Sequence, residues 1–179
     1  MSFRQVAFRI GCYKPTAMPL TDCNRRAFMG VAAGIGLAGV AICTSRGKAA
    51  TFAVQRSPAE WRRRLGAARY HILREAGTER PFSSPLLKEK RKGIYACAGC
   101  GLPLFSSAAK FDSRTGWPSF WKPLPNAVAY KRDASLGMIR TEEHCRRCGG
   151  HLGHRFDDGP RPTGKRHCIN GLSLTFRPA

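Results

Sequence analysis

The chain has 179 residues, with 31 lysines and arginines against 11 aspartates and glutamates, a formal charge of +20 at pH 7. Beyond residue 50 it keeps 24 bases and 10 acids, a formal charge of +14, in a length that fits one domain with one core and excludes a multidomain assembly. The charge raises nucleic-acid binding as a rival function. The basic residues form no uninterrupted tract, however, and we expect no nucleic-acid partner.

Residues 1–50 have the organisation of an export leader. Residues 24–29 read Asn-Arg-Arg-Ala-Phe-Met, a twin-arginine pattern, and an apolar run over residues 31–42 and a cleavage region at residues 47–50 follow. The run is shorter than the roughly 20 apolar residues of a spanning helix. We therefore expect a signal peptide over residues 1–50 that engages the twin-arginine translocase and delivers a domain of residues 51–179 to the periplasm.

Three other interpretations of the leader stay open. The first is a disordered basic arm, the second is the anchor of a lipoprotein joined through Cys43, and the third is a leader that stays attached as an N-terminal membrane tether. The stretch ahead of the arginines is long for such a signal, so Met18 is an alternative start to Met1.

A helix is predicted just after the leader. Ser57-Pro58-Ala59-Glu60 combines a capping serine, proline at the first helical position and glutamate three residues after the serine. Gly66 is expected to split this region into two short helices, and Gly77 to end it. The predicted buried stripe, at helical spacing, consists of Trp61, Leu65, Ala68 and Ile72.

Beyond Pro81 the pattern changes to short apolar runs between glycine, proline, aspartate and serine clusters. Strands are predicted at residues 93–96, 104–106, 128–130, 138–141, 152–156 and 172–176. The fold class that follows is mainly β: a small antiparallel β domain with short N-terminal helices, expected to be a monomer.

The eight cysteines sort by position. Cys12, Cys23 and Cys43 lie in the leader, Cys168 stands alone, and the remaining four form two Cys-x-x-Cys pairs, each followed by glycine: Cys97 with Cys100 and Cys145 with Cys148.

The two pairs suit one structural Zn²⁺ per chain, held by four sulfurs with no open coordination position. The ion would join strands that are distant in sequence, since 44 residues lie between Cys100 and Cys145. The alternative is a pair of redox-active dithiols, which usually use one such motif on a helix. Because the twin-arginine route carries folded protein, zinc would be bound before export.

Three longer blocks carry a family resemblance. Residues 111–120 (Phe-Asp-Ser-Arg-Thr-Gly-Trp-Pro-Ser-Phe), residues 151–159 (His-Leu-Gly-His-Arg-Phe-Asp-Asp-Gly) and residues 166–170 (Arg-His-Cys-Ile-Asn) resemble the signature blocks of B-type peptide methionine sulfoxide reductases. Residues 79–82 (Glu-Arg-Pro-Phe) and both cysteine pairs stand where that family has them. The resemblance implies a β-rich fold with structural zinc that reduces the R epimer of methionine sulfoxide in oxidised proteins.

This reaction needs an activated cysteine, a proton source near the sulfoxide oxygen and an apolar slot for the methyl group. Cys168 is the candidate nucleophile, emerging as a sulfenic acid, against the alternative of an inert buried thiol. A neighbouring cation lowers a thiol pKa, and the resemblance favours Arg166 over His167. If residues 166–170 form a strand, Arg166, Cys168 and Asn170 share one face, and Asn170 suits orientation of the substrate.

The remaining candidate residues follow from the resemblance. His151 and His154 belong to the pocket, with His154 as the proton donor; a histidine metal site would need a third ligand, and none is evident. Trp117 is the aromatic wall for the methylsulfinyl group, although a core tryptophan is an equal interpretation from sequence alone. Asp158 is assigned an orienting role. Phe120 and Trp121 are left as core.

The sequence departs from the family pattern at Thr115, where many members have a second, resolving cysteine. Without the leader, five cysteines remain and four belong to the metal site. We therefore expect the Cys168 sulfenic acid to be reduced by an external thiol, from a thioredoxin-like protein or a small molecule.

Overall fold

The computed structural model describes residues 52–179. The predicted signal peptide, its twin-arginine pattern and its cleavage region lie outside these residues and stay predictions. Within the described part, no helix combines the length and the hydropathy that a membrane span requires.

The described chain opens with helix α1, Pro58–Glu75. The predicted cap is confirmed: the Glu60 amide donates to Ser57 Oγ (3.3 Å), and the Ser57 amide donates to the Glu60 carboxylate (2.8 Å). Gly66 breaks the helical backbone with φ 69° and ψ 169°, conformations that favour glycine. The predicted split is therefore present as a kink.

One member of the predicted buried stripe is wrong. Ala68 is exposed and Leu73 is buried instead, beside Ile72. The predicted stripe assumes one continuous helix through Gly66. The extended ψ of Gly66 changes the helical phase, so the residues after the kink bury a different face from the one that Trp61 and Leu65 define.

Nine strands follow the helix, all paired antiparallel. In chain order they are β1 Gly93–Cys97, β2 Pro103–Ser106, β3 Lys110–Phe111, β4 Ser119–Phe120, β5 Val128–Asp133, β6 Arg140–Cys145, β7 His151–Phe156, β8 Arg166–Ile169 and β9 Leu174–Pro178. A three-stranded sheet has the order β2-β1-β9, and a six-stranded sheet the order β3-β4-β8-β7-β6-β5. The mainly β fold class is confirmed.

Two predicted strands begin later than expected. Residues 138–139 lie in the connection between β5 and β6, where Met138 and Ile139 are exposed. Residues 172–173 lie in the 3-10 turn Gly171–Ser173, whose amides are held by the buried Glu79 carboxylate. In both places an apolar residue lies outside a strand, because tertiary contacts and not the local apolar pattern determine where the strand begins.

The core joins the two sheets through aromatic side chains. Phe105 of β2 stacks on Phe120 of β4 with 4.4 Å between ring centroids, and Tyr95 of β1 meets Phe120 edge-on at 4.9 Å. Trp61 of α1 belongs to the same buried cluster, and Trp121 packs against it partly buried. Phe120 and Trp121 are thus core residues, as predicted.

Strand β8 directs alternate side chains to opposite faces. His167 and Ile169 are buried, whereas Arg166 and Cys168 are only partly buried, which agrees with the alternation expected of a strand. The strand ends at Ile169, one residue before the predicted limit, and Asn170 begins the following turn.

Candidate active site

Cys168 lies in a row of polar side chains that crosses the six-stranded sheet. In the register of the sheet it stands opposite Ser119 of β4 on one side and His154 of β7 on the other, and His154 in turn stands opposite Glu142 of β6. Directly paired residues of antiparallel strands project from the same face. The pairing therefore gathers groups that are up to 49 positions apart in sequence beside one thiol.

The row opens into a cavity of about 120 Å³. It is lined by Thr78, Trp117, Arg140, Gly153, His154, Phe156, Cys168 and Asn170. Of the residues predicted for the site, the structure thus brings Cys168, His154, Trp117 and Asn170 together. His151, Arg166 and Asp158 stand outside this lining.

Burial raises the pKa of the Cys168 thiol above its ordinary value, although Thr115, Arg166 and Ser119 each act to lower it. Arg166 thus acts in the predicted direction, but burial outweighs it and the net shift of the thiol pKa is upward. The physical reason is that desolvation disfavours the thiolate, and Arg166 is shared with another anion.

That anion is Asp158. Its two carboxylate oxygens accept hydrogen bonds from Arg166 Nε and Arg166 Nη2, both at 2.8 Å. A bidentate pair of this kind fixes the guanidinium. Asp158 itself is exposed, so the structure places it behind Arg166 and away from the cavity.

Hydroxyl groups surround the other side of the thiol. Thr115 Oγ1 lies 3.8 Å from Cys168 Sγ, and Ser113 Oγ bridges Thr115 Oγ1 at 2.8 Å and Ser119 Oγ at 2.7 Å. Ser119 is buried. Position 115 therefore faces the Cys168 sulfur directly, with a hydroxyl group instead of a second thiol.

His154 is oriented by a carboxylate that sequence reasoning missed. Its Nε2 lies 2.8 Å from Asp133 Oδ2, and Arg140 Nη2 donates to the same oxygen at 2.8 Å. An ionised carboxylate only accepts hydrogen bonds, so Nε2 carries the proton of the neutral ring. Burial lowers the pKa of His154 even though Asp133 opposes the shift.

Asp133 is suited to this role because it stays ionised. Hydrogen bonds from Ser135 and then His154 hold the pKa of Asp133 well below its usual range. It ends β5 and pairs in register with Arg140 at the start of β6. No local motif marks it, since its partner in the site lies 21 residues further along the chain.

His151 is buried behind His154, with 5.5 Å between their ring centroids. The Nδ1 atom of His151 lies 3.0 Å from Glu142 Oε1, but the geometry is not that of a hydrogen bond. Lys131 Nζ lies 3.0 Å from the other carboxylate oxygen of Glu142. Burial opposes ionisation of Glu142, but His151 and Lys131 outweigh it and lower the pKa of this carboxyl. His151 thus lies between the ring of His154 and the Glu142 carboxylate.

Trp117 and the turn after Cys168 are tied together by Glu79. The Trp117 indole N–H donates to the Glu79 carbonyl at 3.1 Å, and the Glu79 carboxylate accepts from the amides of Gly171 and Leu172. The Glu79 amide donates to Asn170 Oδ1 at 3.0 Å. This residue occurs in the 79–82 block, but its partners more than 90 positions away were not evident from the sequence.

Gly153 permits the close approach of β7 to β8 within the His-Leu-Gly-His block. A Cβ atom there would collide with the backbone carbonyl of Cys168. Any larger residue would separate His154 from Cys168, so the glycine positions the imidazole relative to the thiol.

The four remaining described cysteines form one cluster rather than two separate dithiols. Their sulfur atoms all lie within 4.8 Å of one another, with 3.7 Å between Cys97 and Cys148 and 3.5 Å between Cys100 and Cys145. A tetrahedral Zn²⁺ with bonds of about 2.3 Å separates its sulfurs by about 3.8 Å. The donor set therefore fits zinc, and among residues 52–179 it is the one cluster of this kind.

The backbone turns for the cluster are those predicted. Gly101 and Gly149 have φ of 72° and 67°, and their amides donate back to the carbonyls of Cys97 and Cys145 at 2.7 and 2.8 Å. Because Cys97 ends β1 and Cys145 ends β6, the cluster joins the small sheet to the large one. Arg147 Nε, 3.4 Å from Cys100 Sγ, adds a positive charge beside the thiolates.

Fold and site together define a small β domain with a four-cysteine cluster and one separate thiol in a cavity. The SelR domain model matches residues 65–178. The peptide methionine sulfoxide reductase MsrB of Agrobacterium fabrum is 56% identical over 126 residues, 70% of this chain and 93% of that protein. The proteins of the same name from Methanosarcina barkeri (55% over 126 residues, 70% and 89%) and Leptospira interrogans (51% over 127 residues, 70% and 97%) are similar to the same extent. The chain belongs to the SelR family, that of the B-type peptide methionine sulfoxide reductases.

Proposed function

We propose that this protein reduces the R epimer of peptide-bound methionine sulfoxide at Cys168, and that the resulting sulfenic acid is reduced by an external thiol. Reduction of methionine sulfoxide follows from membership of the family. The observation that carries the finer proposal is the single thiol lining a small cavity with an indole and an imidazole.

The sulfoxide side chain enters this cavity with its methyl group against the Trp117 ring, where a polarisable sulfur packs well on an aromatic face. Cys168 Sγ attacks the sulfoxide sulfur, and the sulfur–oxygen bond breaks as the oxygen is protonated and leaves as water. Water then attacks Cys168 Sγ, and the bond between the two sulfurs breaks with methionine as the leaving group. The products are methionine and Cys168 sulfenic acid, so in net terms one oxygen moves and the cysteine sulfur is oxidised by two electrons. Asn170, held by Leu152 and Glu79, supports the wall beside the thiol.

The proton comes from the pair of groups that flank the substrate. In the free site the raised pKa of Cys168 and the lowered pKa of His154 favour a thiol and a neutral imidazole. Transfer of the thiol proton to His154 gives the reactive thiolate and imidazolium, which then donates to the departing oxygen. Asp133 stabilises the imidazolium through Nε2, so His154 acts as a general acid.

Recycling requires a thiol from outside. Among residues 52–179, the cysteines other than Cys168 all belong to the four-sulfur cluster, and Thr115 occupies the position beside the reacting sulfur. The external thiol attacks the sulfenic sulfur and releases water, and a second thiol then regenerates Cys168. A thioredoxin-like protein or a small thiol fits this step.

Zinc has a structural role in this proposal. Cys97, Cys100, Cys145 and Cys148 would hold it, and it would supply charge neutralisation and a link between the sheets. With four sulfur ligands no coordination position remains for substrate. The predicted export to the periplasm is a further part of the proposal, supported by the pattern of residues 1–50 alone.

The test is the intact mass of the protein after exposure to a peptide methionine R-sulfoxide without any reductant. We expect addition of one oxygen, located at Cys168, and stoichiometric formation of methionine, with no reaction of the S epimer. Cys168→Ser should abolish both signals while one zinc per chain is retained. Formation of an intramolecular disulfide, or turnover by Cys168→Ser, would contradict the proposal.

A further inference from the structure

Trp117 also borders a second and much larger cavity, of about 950 Å³. The cavity that contains Cys168 takes one side-chain head group, whereas this one has the size of sites that hold an extended ligand. Hydrogen bonds connect the segments that line the two cavities. The Trp117 indole donates to the Glu79 carbonyl, and the Phe82 amide donates to the Gly116 carbonyl at 2.8 Å. The large cavity, called the groove below, therefore adjoins the small cavity at Trp117.

Phe82 is held at this groove in a strained and exposed position. Its φ is 63°, in the left-handed region that bulky residues rarely adopt, and 71% of the residue is exposed. Gly116, with φ 94°, leaves room for it, because a Cβ atom there would collide with Pro81 and Phe82. Strain of this kind is found at binding sites more often than in scaffold, and here it directs an aromatic ring to solvent beside Trp117.

The lining of the groove includes two lysines without an acidic partner in the described part of the chain. Lys88 and Lys90 are exposed, and neither forms a salt bridge within residues 52–179. Arg91, in contrast, pairs with Glu89. Lys110 donates to the carbonyls of Leu87 and Glu89 at 2.8 and 3.0 Å, which fixes the segment that bears the lysines.

We propose that this groove binds the polypeptide that flanks the oxidised methionine, and that it favours acidic flanking residues. The inference rests on the proposed function. The sulfoxide enters the small cavity, the adjoining backbone crosses Trp117, a neighbouring side chain packs on Phe82, and carboxylates reach Lys88 and Lys90. Asp112 also lines the groove, accepts a hydrogen bond from the Arg114 amide and forms no salt bridge within residues 52–179.

The experiment compares single turnovers without reductant, so that recycling does not contribute. The substrates are N-acetyl methionine R-sulfoxide, which reaches only the small cavity, and blocked peptides with neutral, acidic or basic residues at about three positions on either side of the sulfoxide, a span of roughly 10 Å per side. The proteins are wild type, the double variant Lys88→Gln and Lys90→Gln, and Phe82→Ala. The matched control is Arg63→Gln with Arg64→Gln, an equal change of charge on the exposed face of α1.

At low salt, wild type should react about two- to tenfold faster with the acidic peptide than with the neutral one, as expected of two exposed ion pairs. This preference should disappear at high salt and in the lysine variant, and persist in the arginine control. Phe82→Ala should slow all peptides by a larger factor than it slows N-acetyl methionine sulfoxide.

An acidic preference that survives the lysine substitutions would overturn the proposal, as would equal rates for all peptides. A defect of the lysine variant confined to recycling by a thioredoxin-like protein would assign the groove to the reductant instead, and would equally overturn it. Failure of the wild type on every substrate, the neutral peptide included, would refute the proposed function itself, so the two failures are distinguishable.

Discussion

Replacing Thr115 by cysteine should install a resolving thiol. Thr115 Oγ1 is 3.8 Å from Cys168 Sγ, so a sulfur at this place needs to approach by about 1.7 Å to reach a disulfide length of about 2.05 Å. The segment that must move lies between β3 and β4 and contains two residues with positive φ, Arg114 and Gly116. It is a loop, and loops absorb such shifts more readily than strands.

The gain follows from effective concentration. A tethered thiol acts at about millimolar concentration or more, against an external thiol supplied at about 0.1 mM. The lifetime of the Cys168 sulfenic acid should therefore shorten at least about tenfold, and a disulfide between residues 115 and 168 should replace it. Both species are measured by mass spectrometry after quenching with a sulfenic-acid trap.

Thr115→Ser is the control, because it keeps the hydroxyl contact and adds no thiol. The reasoning is refuted if Thr115→Cys reduces the substrate normally yet accumulates sulfenic acid like the wild type. In that event position 115 does not face the reacting sulfur during the reaction.

Four further outcomes are expected. The profile of kcat/KM against pH should rise to a broad plateau below pH 6.5 and fall from it above pH 9.0. The reason is that Cys168 and His154 share one proton, as the reaction requires, only between the lowered pKa of His154 and the raised pKa of Cys168. A single rise near pH 9 would contradict this. His154→Gln should lower kcat by about 10²- to 10⁴-fold with an unchanged melting temperature, and kinetics with thermal unfolding test both. Cys145→Ser should lose the metal and more than about 3 kcal/mol of unfolding free energy, since it leaves a buried charged cluster incompletely paired; metal analysis and denaturant titration check it. Without substrate, hydrogen peroxide should oxidise Cys168 more slowly at pH 7 than a free cysteine, as followed by intact mass, because burial keeps it as a thiol.

The local features of the fold were predictable from the sequence. The capping box at Ser57, the kink at Gly66 and the turns after Cys97 and Cys145 depend on residues within four positions of one another. The short strands β3 and β4 were not predicted, because two residues give no alternating pattern. They form because β8 and the core supply partners that only the tertiary structure brings near.

The candidate site shows the same division. The chemistry-bearing residues Cys168, His154 and Trp117 occur in blocks that can be read directly, and the structure places them around one cavity. Asp133, Ser119 and the partners of Glu79 could not be read, because each acts through strand register or a hydrogen bond across a long sequence separation. The direction of the Cys168 pKa shift could not be predicted either, because it depends on the burial of the thiol, and the residues around Arg166 do not reveal that burial.

A raised pKa of Cys168 suits a protein whose described residues provide no resolving thiol. A thiolate in the free site would react with peroxide, and its sulfenic acid, lacking a partner, would be exposed to further oxidation. In the proposed mechanism, burial favours the thiol in the free site, and transfer of the thiol proton to His154 becomes productive once a sulfoxide oxygen is present to accept it. The Asp158 carboxylate limits the opposing effect of Arg166, because a guanidinium in a bidentate pair favours the thiolate less than an unpaired one would. Under this proposal, it is the bound substrate that activates the nucleophile.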